Sequence, residues 1–326
     1  MYLTDGSLGT MGSTIIGVDL GGTQMRAARF DEDLNILERV AEPTQARQGR
    51  DKVIERLLDV IARVVPEDTS SLSGIGVSVP GPINPHEGTV VAPPNLPGWH
   101  NVPIRKIIQE RFSTPTFLGN DANVAALAET MRGAARGYKY VIYLTISTGI
   151  GGGIIDDGHL LVGAQGLGAE AGHMMFIVDG EVMDLEQAAS GTAIERQAKA
   201  RLEAGAESKM RDIVGGDVDK VTTKIVGQAA ADGDKLAVEL IERAGYRVGL
   251  GIVSLLHLFN PQIIVVGGGV TNAGDLLFEP MRQAVRKHVL DAAYYQNVPI
   301  VPAALGDNVA LIGAASLVST RGGSCL

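Results

Sequence analysis

Gly119-Asn120-Asp121-Ala122-Asn123 sets one carboxylate and two amides where a β-rich run, Thr116-Phe117-Leu118, opens into a helix-patterned segment. A carboxylate fixed in such a turn can take a proton from a hydroxyl. It can equally be a helix cap, because Asp is among the residues preferred there, and on a motif this short the cap is the stronger reading. A second group follows. Gly168-Ala169-Glu170-Ala171-Gly172-His173 places Glu170 and His173 three apart in a glycine-rich stretch, and Glu186 comes soon after in Asp184-Leu185-Glu186-Gln187. Carboxylates accept from hydroxyls and an imidazole does either, so these groups could hold a polyhydroxylated substrate. Taken one at a time, each is better explained as solvated loop charge. Asn95, in Ala92-Pro93-Pro94-Asn95-Leu96-Pro97-Gly98-Trp99, is a similar amide candidate on a stiff loop.

Three β-rich runs end in glycine turns, at Gly21-Gly22-Thr23, at Thr148-Gly149-Ile150-Gly151-Gly152-Gly153 and at Gly267-Gly268-Gly269. Glycine lets backbone N–H groups approach an anion, and threonine hydroxyls add donors. One such turn is only a turn; three together suit a nucleotide with several phosphates. No GxxxxGK[ST] occurs, and GxGxxG fails at 149–154 because Ile154 holds its last position, so neither a P-loop nor the strict dinucleotide fingerprint is present. Asp19 precedes the first turn. A carboxylate beside phosphates is repulsive unless a cation intervenes, which points to Mg²⁺ held through water. The alternative is a turn aspartate bonded to its own backbone.

The elements that must position these groups follow from hydrophobic period. Residues 15–20, 24–30 and 34–40 read as strands, 74–79 as another, and 116–118 as the strand entering the Asn120-Asp121 turn. The helix after it runs from about Ala122 to Met131, with Val124, Leu127, Ala128 and Met131 on one face. Further strands are expected at 141–147, 154–155, 263–266 and 300–301. Helices are expected at 52–65, 104–112, 190–203 (Ser190 capping), 220–228, 235–259, 276–289 and 309–318. Residues 83–103 and 162–190 read as loops. Gly245, Gly249 and Gly251 weaken the long helix, which implies close packing against another backbone. Strands alternating with helices give α/β layers. The units 15–30 and 141–155 share one design, strand–glycine turn–strand, which suggests two halves of similar topology.

Composition bounds the rest. The 326 residues exceed what one core usually supports, so two domains are expected. Net charge is −9 with no long basic run, which removes the electrostatic footprint of nucleic-acid binding. The longest nearly apolar run, 248–259, is too short to span a bilayer. With one cysteine, Cys325, an intrachain disulfide is impossible and a cytoplasmic setting is the default. Residues 1–13 read as a flexible leader or expression remnant, with Met11 a candidate natural start and no signal-peptide pattern.

Asp19-Leu20-Gly21-Gly22-Thr23, Pro80-Gly81-Pro82, Gly119-Asn120-Asp121-Ala122-Asn123, Thr148-Gly149-Ile150-Gly151-Gly152-Gly153 and Glu170-Ala171-Gly172-His173 occur in order. Together with Glu186-Gln187-Ala188-Ala189-Ser190-Gly191 and Val265-Val266-Gly267-Gly268-Gly269 they resemble the ROK family of sugar kinases and sugar-responsive repressors, over essentially all of 15–318. The resemblance implies an actin/hexokinase-like (ribonuclease H-like) ATPase fold of two α/β domains with an interdomain active-site cleft, divided as 14–118 plus 303–326 and 119–302. It implies ATP and Mg²⁺, with a hexose as acceptor, glucose the commonest, and fructose, mannose or N-acetylmannosamine as alternatives. It implies Asp121 as general base for the sugar 6-hydroxyl; Asn120, Glu170, His173 and Glu186 on sugar hydroxyls, helped by Asn95 and the Gly81 turn; Gly21, Gly22, Thr23, Thr148, Gly149 and Gly151 on phosphates; and Gly267, Gly268 and Gly269 by the adenosine. A homodimer or homotetramer is implied as well. A repressor would need a helix-turn-helix region that the residues before Ile15 have no room for, and a non-catalytic sugar-sensing protein would not need the full set. The family's zinc-binding cysteine cluster, between this His and this Glu, is replaced by Met174–Leu185 without a cysteine. No structural zinc is expected, with Met, Phe, Ile and Val packing in its stead.

Overall fold

The computed structural model describes residues 13–178 and 180–324; apart from Ser13, the expected leader lies outside them, as does Cys325. Strands β1 (Thr14–Leu20), β2 (Gln24–Phe30) and β3 (Ile36–Pro43) precede helix α1 (Arg50–Ala62). Then come β4 (Leu72–Val79), the short pair β5 (Ile83–Asn84) and β6 (Thr89–Val90), α2 (Ile104–Phe112), β7 (Thr116–Asn120) and α3 (Asp121–Arg132). Strands β8 (Val141–Ile146), β9 (Ile150–Asp156), β10 (His159–Leu160), β11 (Met175–Val178) and β12 (Glu181–Asp184) follow. Helices α4 (Leu185–Ala189), α5 (Gly191–Glu203), α6 (Lys209–Ile213), α7 (Thr223–Ala231) and α8 (Lys235–Phe259) lead to β13 (Ile263–Gly267). The chain ends with α9 (Asp275–His288), α10 (Ala293–Gln296), β14 (Ile300–Pro302) and α11 (Val309–Ser319).

These elements form two compact units, one up to Val124 together with Asp307–Ser324, the other Ala125–Gly306. The first holds a sheet ordered β3-β2-β1-β4-β7, the second a sheet ordered β10-β9-β8-β13-β14. In each, the first strand pairs antiparallel with the second and parallel with the next member of the sheet. The sequence echo between 15–30 and 141–155 is thus a repeated topology.

In the first unit Ile16, Val18, Leu20, Ile75 and Val77 meet Leu57 and Ile61 of α1 and the buried Trp99 and Ile104 in one core. Helix α11 lies so close to β1 and β4 that a Cβ on Gly17 or Gly76 would collide with the carbonyls of Leu311 and Ala314. Only glycine allows that approach. In the second unit, Leu236, Leu240, Ala244, Val248, Ile252 and Leu255 of α8 are all buried, as their spacing requires. Gly245 and Gly249 face backbone carbonyls of α9, whereas Gly251 faces side chains, with Leu185 Cδ2 2.8 Å and Met174 Cε 3.2 Å from where its Cβ would be. Gly251 therefore makes room for α4 and not for a backbone. Asn260 ends α8 in the left-handed conformation (φ 43°), which Asn tolerates.

Three sequence expectations need correction. Residues 83–103 contain β5 and β6, and 162–190 contain the β11–β12 hairpin and α4. The second glycine turn is shorter than expected: antiparallel pairing resumes at Ile146 and Ile150, leaving 147–149 as the turn and 150–153 in strand. Finally, not all apolar residues of 174–185 pack inward. Met174, Phe176, Val178 and Met183 lie on the core, while Met175, Ile177 and Val182 are exposed, because successive strand residues point to opposite faces. Among the described residues no helix is long and apolar enough to cross a membrane.

Candidate active site

In the first unit the ends of β1, β4 and β7 carry the expected groups. Asp19 stands opposite Arg26 across the β1–β2 ladder. Arg26 donates to Asp19 Oδ2 from Nε at 2.9 Å and from Nη2 at 2.5 Å, and its Nη1 reaches the Asp307 carbonyl at 2.9 Å. The hydrogen bonds that hold Asp19 thus come from a side chain, not from its own turn. With Oδ2 engaged, Oδ1 is left to address a hydrated cation. Mg²⁺ keeps several waters and often takes only one or two carboxylates beside substrate phosphate, so this single carboxylate fits it. Among the described residues no group of three or more His, Cys, Asp or Glu could hold a metal ion directly.

The Gly21–Thr23 turn is tied at both ends: Gly21 N–H donates to Gln24 O at 3.0 Å and Thr44 N–H to Thr23 O at 2.8 Å. Asn95 lies directly against it. A Cβ on Gly22 would stand 2.8 Å from Asn95 Cβ and 3.0 Å from its carbonyl, and buried Leu96 and Trp99 anchor that loop. Gly81 follows β4 with open space where its Cβ would be, and the Gly81–Pro82 peptide is cis.

At the β7–α3 junction the cap belongs to Asn120, whose Oδ1 accepts from Asn123 N–H at 2.7 Å. Asp121 is the first helical residue, and one of its oxygens accepts from Ala122 N–H at 2.9 Å. The cap reading thus moves back one residue, and the Asp121 carboxylate keeps capacity for another partner. Its side chain retains exposed surface, yet enough protein surrounds it that desolvation raises its pKa above the ordinary carboxylate value; backbone N–H groups oppose this and the Asp19 charge adds to it. In the same unit, buried Ser78 Oγ and Asn123 Oδ1 have no hydrogen-bond partner among the described residues.

In the second unit the loop bearing Glu170 and His173 lies on the start of β9. A Cβ on Gly152 would meet the Ala169 carbonyl, and one on Gly172 the Ile150 carbonyl. Gly151 is within β9, opposite Thr145. His173 Nδ1 is 3.1 Å from Asp184 Oδ2, and that hydrogen bond is the main reason its pKa is raised, ahead of the charges of Asp184, Glu186 and Glu170, with desolvation acting against them. Glu186, on the first turn of α4, accepts from Ile150 N–H through Oε2 at 2.7 Å, so its carboxylate braces the 147–149 turn.

That turn borders a cavity of about 810 Å³ that brings together Thr148 and Gly269 from two of the glycine turns. Sequence reasoning missed its other polar lining, Ser147, Thr192, Glu195, Thr223, Lys224, Gln228 and Asn272. The starts of α5 and α7 converge there: Thr192 Oγ1 donates to Thr148 O at 2.8 Å and Thr223 Oγ1 to Gly191 O at 2.7 Å. Ile194, Ile241 and Val270 supply apolar wall. An apolar slot with polar edges beside a glycine turn fits a nucleoside with its phosphates. The capping residues Ser190 and Thr222 were the available sequence signal for these helix starts.

The family model described as "ROK family" matches residues 15–321. A glucokinase of Thermotoga maritima is 34% identical over 94% of this chain and 98% of its own. A xylose repressor of Caldicellulosiruptor bescii is 30% identical over 94% of this chain and 78% of its own. Among solved structures, a ROK hexokinase of Thermus thermophilus is 34% identical with a TM-score of 0.80, covering 94% of this chain and 98% of that one. A ROK family glucokinase of Streptomyces griseus in complex with glucose and AMPPNP is 32% identical with a TM-score of 0.77, covering 94% and 99%. The two α/β units with their repeated sheet order are of the hexokinase-like class, and this chain belongs to the ROK family.

Proposed function

We propose that this chain is an ATP-dependent hexose kinase that converts glucose and ATP to glucose 6-phosphate and ADP. The observation that carries the proposal is the β7–α3 junction: Asn120 takes the cap bond, and the Asp121 carboxylate, raised toward a useful basicity, is left for proton transfer. Asp121 takes the proton of the 6-hydroxyl as that oxygen attacks the γ-phosphorus; the new O–P bond forms while the bond to the ADP oxygen breaks. Phosphoryl transfer needs little covalent help, so the remaining residues position and neutralise. Asn120, Glu170, His173, Glu186, Asn95 and the Gly81 turn hold sugar hydroxyls. Gly21, Gly22, Thr23, Thr148, Gly149 and Gly151 present N–H and hydroxyl donors to phosphates, and Gly267, Gly268 and Gly269 lie by the adenosine. Mg²⁺, held through water at Asp19, would neutralise phosphate charge. The protein is read as cytoplasmic, without structural zinc, nucleic-acid or membrane partners, and as a homodimer or homotetramer.

The relatives named glucokinase, one of them solved with glucose and an ATP analogue, support the choice of substrates. The test is ADP release coupled to hexose consumption across glucose, fructose, mannose and N-acetylmannosamine. Glucose should give the highest kcat/KM, and Asp121→Ala should lower kcat by at least about 10²-fold while glucose binding stays detectable by calorimetry. Near-wild-type turnover in Asp121→Ala sinks the assignment. Preference for another hexose moves the substrate and keeps the reaction. Glucose binding without ADP release makes the chain a sugar sensor.

A further inference from the structure

The β11–β12 hairpin places Met175 opposite Asp184, which folds Asp184 back onto the loop that carries His173. The two Asp184 oxygens then do different things. Oδ2 is 3.1 Å from His173 Nδ1. Oδ1 accepts from Gln187 N–H at 2.7 Å, and the Gln187 side chain reaches back to Asp184 N at 3.4 Å, completing a capping box on α4. Leu185 N–H donates to Met174 O at 2.9 Å, closing the base of the hairpin. The second residue of α4 is Glu186, whose carboxylate is bound to Ile150 N–H.

A carboxylate can only accept, so the hydrogen between Asp184 and His173 belongs to Nδ1. That bond fixes which imidazole nitrogen is left outward: Nε2 is free to meet a hydroxyl. The His173 side chain is 60% exposed while that of Asp184 is 15% exposed, so the less exposed partner holds the more exposed one. Without it, little would fix either the tautomer or the ring rotation of His173. The cap oxygen meanwhile fixes where α4 begins, and thereby where Glu186 is presented.

We propose that Asp184 is a positioning residue for sugar selection, orienting His173 with one oxygen and the start of α4, hence Glu186, with the other. This rests on the kinase proposal above, in which His173 and Glu186 hold the sugar. It adds a residue that touches no substrate and acts through two that do, so loss of the His173 arm alone is expected in glucose KM and not in ATP KM. Both arms also depend on one short hairpin, so sugar affinity is tied to its register.

Three substitutions separate the two oxygens. Asp184→Asn keeps one acceptor: with its Oδ1 on Gln187 N–H the cap survives, but the amide NH2 then faces His173 and can pair only with an unprotonated Nδ1, which turns the tautomer over. Asp184→Ser keeps a competent cap but is too short to reach His173. Asp184→Ala loses both contacts. Steady-state kinetics with glucose and ATP varied in turn, together with thermal midpoints, are the readouts. Asp184→Asn and Asp184→Ser, which both keep the cap and lose the bond that fixes the His173 tautomer, should each raise glucose KM about tenfold with an unchanged midpoint. Asp184→Ala should raise it at least as much and lower the midpoint as well. ATP KM should remain within about twofold in Asp184→Asn and Asp184→Ser. Asp184→Ser in the His173→Ala background should add little, since the bond it removes is already gone. An Asp184→Ser glucose KM equal to wild type, or glucose and ATP KM rising in parallel, overturns the inference. A wild-type protein that phosphorylates no hexose overturns the kinase proposal first, and this with it.

Discussion

Gly149→Ala should cost catalysis through one carboxylate. Gly149 lies outside the left-handed region, so an alanine there has no backbone penalty and any effect is steric. Its Cβ would stand 2.9 Å from Glu186 Cδ and closer still to Oε2, where real Cβ contacts seldom fall below 3.4 Å. The carboxylate must retreat, and the 2.7 Å bond that Ile150 N–H makes to it is stretched or lost. A hydrogen bond to a charged group contributes about 1.5–3 kcal/mol, and each 1.4 kcal/mol is about tenfold. The expected loss in kcat/KM for glucose is therefore about 10- to 150-fold. Because the same turn borders the cavity proposed to take the nucleotide, ATP KM should rise too, which distinguishes this variant from Asp184→Ser. The assay is coupled ADP release with each substrate varied, beside a thermal melt to show that the variant is folded. A folded Gly149→Ala protein within twofold of wild type in both KM values would refute the idea that Glu186 is fixed by the turn.

Two further outcomes are expected. The raised pKa of Asp121 means that kcat/KM falls as pH drops through a value above the ordinary carboxylate range, the base being active only when deprotonated. A group whose folded pKa is raised favours the fold below its unfolded pKa and loses that contribution as pH rises through the folded one. Asp121→Asn should thus abolish turnover yet melt at or above the wild-type temperature at pH 7–8, a gain that vanishes in acid; a lower melting temperature at pH 8 would contradict this. Buried Glu129 accepts from the N–H groups of Ala134 (2.8 Å), Ala304 (2.9 Å) and Leu305 (3.0 Å). Glu129→Leu strands all three donors and should cost about 3 kcal/mol or more, read by calorimetry as a fall in the melting midpoint of roughly 6–12 °C. A shift under about 2 °C would mean that water replaces the carboxylate.

Local signals carried the long strands of the two main sheets, the helix faces and most boundaries, but not the two-residue strands β5, β6 and β10 or the short helices α6 and α10. Leu236, Leu240, Ala244 and Val248 point inward because a helix repeats every 3.6 residues, and nothing tertiary opposed them. The 175–184 hairpin was harder to see. Asp179-Gly180 is a turn signal, but apolar residues on both strand faces erased the alternation that marks a half-buried strand. The contact of Asp184 with His173 and the role of Thr223 were not legible. Asp184 reads locally as a cap, which it is, and its second contact depends on a cross-strand register. Thr223 meets Gly191 O from 32 residues away, a distance no short pattern encodes.

The glycine run 149–153 shows how one pattern can hold two causes. Glycines after a strand read as a phosphate cradle because backbone N–H groups must come close to an anion. Here Gly149 leaves room for Glu186, and Gly152 for the Ala169 carbonyl beside Glu170. The run therefore ties the segments carrying Glu170 and Glu186 to the 147–149 turn, whatever else its N–H groups do. A larger residue at 149 or 152 would displace the segments carrying Glu186 or Glu170 before it touched a nucleotide. Substitutions in a stretch that looks like a nucleotide motif should accordingly appear first in the kinetics of the sugar.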